Sequence, residues 1–154
     1  MTATGIGAAV KRREDFRFLK GLGRYTDDIN LPRQTYCYLL RSTIAHGTIN
    51  SIDTGAARSM PGVVAVFTQA DIDASGPVGG LPCGWLVTSK DGSPMKEPKH
   101  PILAAGKVRH VGDPIVAVIA ESLAEAKTAA EQVVVDISEL PAVVDMRKAL
   151  AGAA

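Results

Sequence analysis

The stretch Pro114-Ile-Val-Ala-Val-Ile-Ala-Glu-Ser-Leu-Ala-Glu-Ala-Lys-Thr-Ala-Ala-Glu-Gln-Val-Val-Val-Asp-Ile137 decides the fold of this 154-residue chain. Its opening, Ile115 to Ala120, is an unbroken apolar run of strand length, the pattern of a strand buried within a sheet. Ser122-Leu-Ala-Glu125 then reads as a capping box: the serine oxygen accepts an early helix amide and the glutamate reaches back to the cap amide. Ala124, Lys127 and Ala130 recur at helical spacing, which predicts a helix from about Leu123 to Glu131. Val133 to Ile137 returns to strand before Leu140-Pro141 breaks it. A strand, helix, strand unit near the C-terminus follows.

Working outward, Ile102 to Val108 reads as a strand or turn, joined to the apolar run by the bend Val111-Gly-Asp-Pro114. Thr35 to Leu40 is rich in strand formers, and Thr48 to Asp53 alternates polar with apolar residues, so two more strands are expected. Asp53 or Thr54 caps a short helix through Ala57 and Met60, which Pro61-Gly62 stops before the strand Val63 to Phe67. Thr68-Gln-Ala-Asp71 is a second capping box, good for about one helical turn. From Ala74 to Lys99 the glycines and prolines exclude continuous strands and leave a long irregular loop, with an apolar patch at Leu81, Trp85, Leu86 and Val87. Asp145 caps a last helix through Met146 and Leu150. At the other end, residues 1–10 lack any pattern and Gly21 to Pro32 reads as an ordered loop.

Composition narrows the function classes. A hydrophobic share of 46% against 21% charged is that of a folded domain rather than a disordered chain. With 17 basic and 16 acidic side chains there is no global field to attract nucleic acid. The longest apolar runs fall far short of the roughly 20 residues that cross a bilayer. Cys37 and Cys83 have no partner pattern, which suits free thiols in a reducing compartment, and the cytoplasm is the expected location.

A screen for chemistry returns little. Gly5-Ile-Gly7 and Gly21-Leu-Gly23 lack both the preceding strand and the third glycine of a dinucleotide site. Cys83-Gly84-Trp85 lacks the local order and neighbouring histidine of a thiol nucleophile. His46, His100 and His110 are not at metal-ligand spacing, so each is read as packing or donating one hydrogen bond. Asp27 and Asp28 are adjacent, and turn capping explains them better than shared acid–base work.

The order of the motifs is more informative. Gly21-Leu-Gly-Arg-Tyr-Thr-Asp-Asp-Ile29, Arg41-Ser-Thr-Ile-Ala-His-Gly-Thr-Ile49, Pro61-Gly-Val-Val-Ala-Val-Phe-Thr68, Pro101 through Ser122 and Ala130 through Asp145 resemble, in sequence, the N-terminal part of the molybdopterin-binding large subunits of the xanthine dehydrogenase, aldehyde oxidase and carbon monoxide dehydrogenase family. The resemblance runs from about Arg13 to Asp145. It implies an α+β fold, the α/β-hammerhead, with a mixed β-sheet, the β-α-β unit near the C-terminus and the irregular loop at 74–99. The expected organisation is a flexible leader at 1–12, the hammerhead domain at 13–147 and a truncated linker at 148–154 toward a cofactor-binding region.

Enzymes of this family hydroxylate a substrate carbon with oxygen from water at a molybdenum held by molybdopterin, or oxidise carbon monoxide. Electrons then pass through 2Fe-2S clusters to FAD. Their general-base glutamate and pterin contacts lie beyond the hammerhead region, so the resemblance implies no catalytic, cofactor-binding or metal residue within this chain. It implies instead a structural and subunit-docking domain, inactive in isolation, whose partners are the remaining cofactor-binding region, an iron–sulfur subunit and an FAD subunit, with no nucleic acid and no membrane. Arg24, Tyr25, Asp28, Arg41 and His46 are the candidate contacts. The alternative is a stand-alone interaction module on the same fold, binding a partner through the loop around Trp85.

Overall fold

A computed structural model describes residues 5–77 and 80–152. Residues 1–4 of the expected leader, 78 and 79 of the expected loop, and 153 and 154 of the expected linker lie outside the described residues. The chain divides into two compact units, Met1–Gln34 and Thr35–Ala154.

In the first unit, helix α1 (Asp15–Leu19) precedes a 3₁₀ turn at Thr26–Asp28. The helix lacks an apolar stripe, which is why its sequence does not announce it. Aromatic contacts organise the segment locally: the Phe18 and Tyr25 rings stack at 5.8 Å, and the Lys20 ammonium lies 4.0 Å from the Phe16 ring centre. None of its described residues is fully buried.

The second unit holds β1 (Tyr36–Arg41), β2 (Gly47–Asp53), α2 (Gly55–Arg58), β3 (Val63–Phe67), α3 (Gln69–Ala74), β4 (Lys107–Val108), β5 (Pro114–Ala120), α4 (Leu123–Ala130), β6 (Val134–Glu139) and α5 (Met146–Leu150). The strands form two three-stranded sheets. Sheet A has the order β1-β5-β3 and sheet B the order β4-β2-β6, and every pairing is antiparallel.

The α+β class is as expected, but the expected single mixed sheet is two antiparallel ones. Strands β5 and β6 do flank α4, yet they enter different sheets. Their composition explains the separation. On β6, Val135 and Ile137 alternate with Asp136 and Ser138, matching the alternation of β2, against which Ile49 faces Ile137 and Ile52 faces Val135. Strand β5 is apolar throughout and takes the centre of sheet A.

The core lies between the sheets and α4. Tyr38, Leu40, Val66, Val116, Val118 and Ala120 from sheet A, and Ile49, Ile52, Val108, Val135 and Ile137 from sheet B, belong to one cluster. Helix α4 contributes Ala126, Ala129 and Ala130, all buried, and packs on β1 and β5. Side chains this small let the helix backbone approach the sheet closely. At its N-terminus Ser122 Oγ accepts from the Glu125 amide at 3.2 Å. Glu125 does not return to the cap amide as the capping-box reading expects. Its carboxylate instead accepts the Ser122 hydroxyl at 2.7 Å and lies over Gly62, where a Cβ would come within 2.4 Å of it.

Two other caps behave as their sequences predict. Thr68 and Asp71 form a reciprocal capping box for α3, and the Asp145 carboxylate accepts the Arg147 and Lys148 amides. Of the strand or turn expected at Ile102 to Val108, only Lys107–Val108 is strand. Gly106 with φ +66° breaks the extended run, and Leu103 and Ala104 are instead held by the Gln69 side chain and the Pro114 carbonyl.

At Gly47 strand β6 leaves no room for a side chain: a Cβ there would lie 2.5 Å from Ile137 Cγ2 and 3.0 Å from the Ser138 carbonyl. Gly47→Ala is therefore expected to destabilise the chain by about 1–3 kcal/mol through overpacking. Gly84→Ala, with nothing within 4 Å of the new atom, should stay within about 0.5 kcal/mol of the parent. Urea unfolding of the two variants side by side checks the contrast.

Candidate docking surface

The two sheets differ in what they turn away from the core. Sheet B turns out polar residues that satisfy one another: the Asn50 amide donates to Asp136 at 3.1 Å and to Ser138 at 2.8 Å. This is the ordinary solvated face of an antiparallel sheet. On sheet A the outward residues are Cys37, Leu39, Ala65, Phe67, Ala117 and Ile119, which the register places opposite one another in two cross-strand rows. None belongs to the core cluster and none is fully buried, with Phe67 at 43% exposure.

Helix α3 and the segment around Leu103 border this face and shape it into a groove. It has a volume of about 330 Å³ and is lined mainly by Leu39, Phe67, Ile72, Ile102, Leu103 and Ala117. The border is braced. Gln69 donates to Asp73 and accepts the Leu103 amide at 2.8 Å, which ties helix to segment. Asp71 accepts the Thr68 hydroxyl at 2.6 Å and the Thr68 amide at 2.7 Å, and the Arg58 guanidinium lies 3.1 Å away. Those two Thr68 hydrogen bonds, with Arg58 adding to them, hold the Asp71 carboxyl below the usual aspartate range.

The residues singled out in the sequence do not form one cluster. Arg24, Tyr25 and Asp28 share one turn in the first unit. There the Tyr25 amide donates to Asp28 at 2.8 Å, so this carboxylate caps its own turn, while Arg24 and Tyr25 are exposed. Arg41 and His46 belong to the second unit. Arg41 Nη1 donates to the Gly112 carbonyl at 2.8 Å, binding the end of β1 to the turn before β5. His46 Nδ1 lies 2.7 Å from the Pro141 carbonyl, which can only accept, so Nδ1 carries the proton. The His46 carbonyl in turn accepts the Leu140 amide, clamping the segment after β6.

Among the described residues no group of three or more His, Cys, Asp or Glu side chains converges as a metal site, and no helix is long and apolar enough to cross a membrane. The sequence reading did not find the open face of sheet A. Its signal was there in β5, whose run of apolar residues asks for cover on both sides.

The family described as aldehyde oxidase and xanthine dehydrogenase, a/b hammerhead domain, matches residues 20–141. The chain belongs to that family. Over 152 residues it is 39% identical to the nicotine 6-hydroxylase large subunit of Paenarthrobacter nicotinovorans, covering 99% of this chain and 18% of that protein. It is 36% identical to the carbon monoxide dehydrogenase large chain of Afipia carboxidovorans, covering 95% of this chain and 17% of the relative. Among solved structures, quinoline 2-oxidoreductase from Pseudomonas putida 86 superposes with a TM-score of 0.79 at 38% identity, over 93% of this chain and 17% of that one. The Cu,Mo-CO dehydrogenase matches with a TM-score of 0.73 at 35% identity, over 96% of this chain and 17% of its own. The chain thus spans under a fifth of the length of each of these hammerhead-family relatives.

The lowered Asp71 value predicts an acid-side dependence. A carboxyl depressed in the folded state adds stability that is fully present above its unfolded value and is lost as pH falls through the folded one. Asp71→Asn should therefore be less stable than the parent at neutral pH, and the two should converge in strong acid. Thermal melts across that range read the difference.

Proposed function

We propose that this chain is a structural and subunit-docking domain of a molybdenum-dependent hydroxylase or dehydrogenase large subunit, non-catalytic in isolation. One observation carries the reading: sheet A is apolar on both faces, and among the described residues of the second unit α4 covers only the inner one. A three-stranded sheet of this composition is stable in water when its second face is also covered. The occupant in this reading is the remaining cofactor-binding region of the large subunit. The relatives, with more than four-fifths of their length outside the matched part, are consistent with it.

The parent enzyme would then hold molybdopterin–molybdenum in that region, with 2Fe-2S clusters on an iron–sulfur subunit and FAD on a third subunit. Arg24 and Tyr25, exposed in the first unit, are proposed as contacts to these partners. Asp28, Arg41 and His46 also bind within their own units, and for them the proposed interface role comes in addition to that work. Cys37 and Cys83 are free, exposed thiols, in keeping with a cytoplasmic location.

The stand-alone interaction module has one observation of its own. The loop is braced by bridges at Leu81–His100 and Thr88–Pro94, and it holds Trp85 at 79% exposure.

Co-expression with the cofactor-binding fragment of a large subunit tests the docking reading. Phe67→Glu on the open face should weaken co-purification at least about tenfold, as loss of a central apolar anchor does. Ser51→Lys on the outer face of sheet B should leave it unchanged. Full association of the Phe67→Glu chain, together with its loss in Trp85→Ala, would transfer the function to the loop.

A further inference from the structure

A second cavity, of about 290 Å³, opens where the base of the long loop meets the turn before β5, and is lined by Pro98, Lys99, His100, Pro101, Arg109, His110 and Asp113. Four of these seven side chains carry or can accept positive charge, in a chain whose formal net charge is only +1. Two of the three histidines are here. Nothing in the docking reading uses them.

Both walls are held in place. On one side the His100 carbonyl accepts the Leu81 amide at 2.8 Å, and prolines flank the Lys99-His100 pair and restrict its backbone. Gly80 lets the two strands of the loop base come this close: a Cβ there would lie 2.5 Å from the His100 carbonyl oxygen. On the other side the Arg109 amide donates to Asp113 Oδ2 at 2.9 Å, and the Asp113 amide to the His110 carbonyl at 3.2 Å. Ser42 bonds both Gly112 and Asp113 through its backbone, and Arg41 holds the Gly112 carbonyl.

Asp113 is the cavity's one acid. It is buried, and one of its oxygens already accepts a backbone amide. That oxygen also lies 3.9 Å from His110 Nδ1. Beside that engaged carboxylate the lining carries a guanidinium, an ammonium and two imidazoles, and the Arg109 guanidinium also donates to the Lys107 carbonyl at 3.3 Å. A tetrahedral phosphate can offer three oxygens to such a set of cationic and imidazole groups, one more than a carboxylate. The volume is several times the roughly 30 Å³ of a water molecule, which leaves room for a substituent against the two prolines.

We propose that this cavity binds a phosphate group, either as the free ion or as a phosphomonoester. The test is an imidazole NMR titration of the full chain, with resonances assigned by single His→Gln variants and His46 as internal reference. The probes are inorganic phosphate and glycerol 2-phosphate, against sodium chloride and sodium acetate at matched ionic strength and pH. Saturable shifts are expected at His100 and His110 with either phosphate or both, while His46 stays still. Saturation by the ester assigns the site to an esterified phosphate, and saturation by inorganic phosphate alone assigns it to the free ion. Arg109→Gln and Lys99→Gln should each weaken binding at least tenfold, with the unmoved His46 signal and the circular dichroism spectrum reporting an intact fold. Shifts that grow linearly, that chloride or acetate reproduces, that His46 shares, or that survive both substitutions would overturn the proposal.

Discussion

The packing of α4 against sheet A is the contact on which the second unit depends. Ala126, Ala129 and Ala130 bring the helix backbone down onto β1 and β5, and the space they leave is filled by Tyr38, Leu40, Val66, Val116 and Val118. Burying side chains of this size is worth about 1.5–3 kcal/mol each. Because β5 is the middle strand, whatever fixes it also fixes β1 and β3 on either side. Sheet B then closes over the same cluster through Ile49, Ile52, Val135 and Ile137. Its polar outer face needs no further cover, whereas the outward face of sheet A is apolar.

Membership of the hammerhead family gives that asymmetry a context. The relatives are much longer proteins, and the matched part is a minor share of each. A domain within a larger chain can leave apolar residues uncovered in a way that an independent protein of this size cannot easily sustain. The residues that border the groove beside α3 are held by Gln69, Asp71 and Arg58.

What the sequence discloses is chiefly local. The ends of β3 and the caps at Thr68, Ser122 and Asp145 can be read directly, because a cap is decided by residues three or four apart. The strand partners cannot be read in the same way. That β5 pairs with β1 and β3, while β6 pairs with β2, is settled by contacts among residues far apart in the chain, and a strand, helix, strand pattern by itself suggests a shared sheet. The same holds for the surfaces. The open face of sheet A combines three strands, and the basic cavity joins Lys99 and His100 to Arg109 and His110 across a turn. Arg41 and His46 were noticed as parts of motifs, but their bonds to Gly112 and Pro141 span about seventy and ninety-five residues.

The two faces of β5 have one more consequence, for how its register is kept. In a sheet with one apolar face, a slip of one residue turns the core side chains into water, and that cost enforces the alignment. Strand β5 lacks this safeguard, since either face of Ile115 to Ala120 is equally at home in a core. The alignment is marked instead by an irregularity in each ladder: opposite Leu40 and Arg41 of β1, strand β5 skips Ile115, and on β3 the ladder skips Val64 between Val63 and Ala65. Each interrupts the ladder at a fixed place and makes a shifted pairing mismatch there. Without the alternating code, a newly made chain depends on those irregularities to choose one alignment among near-equals.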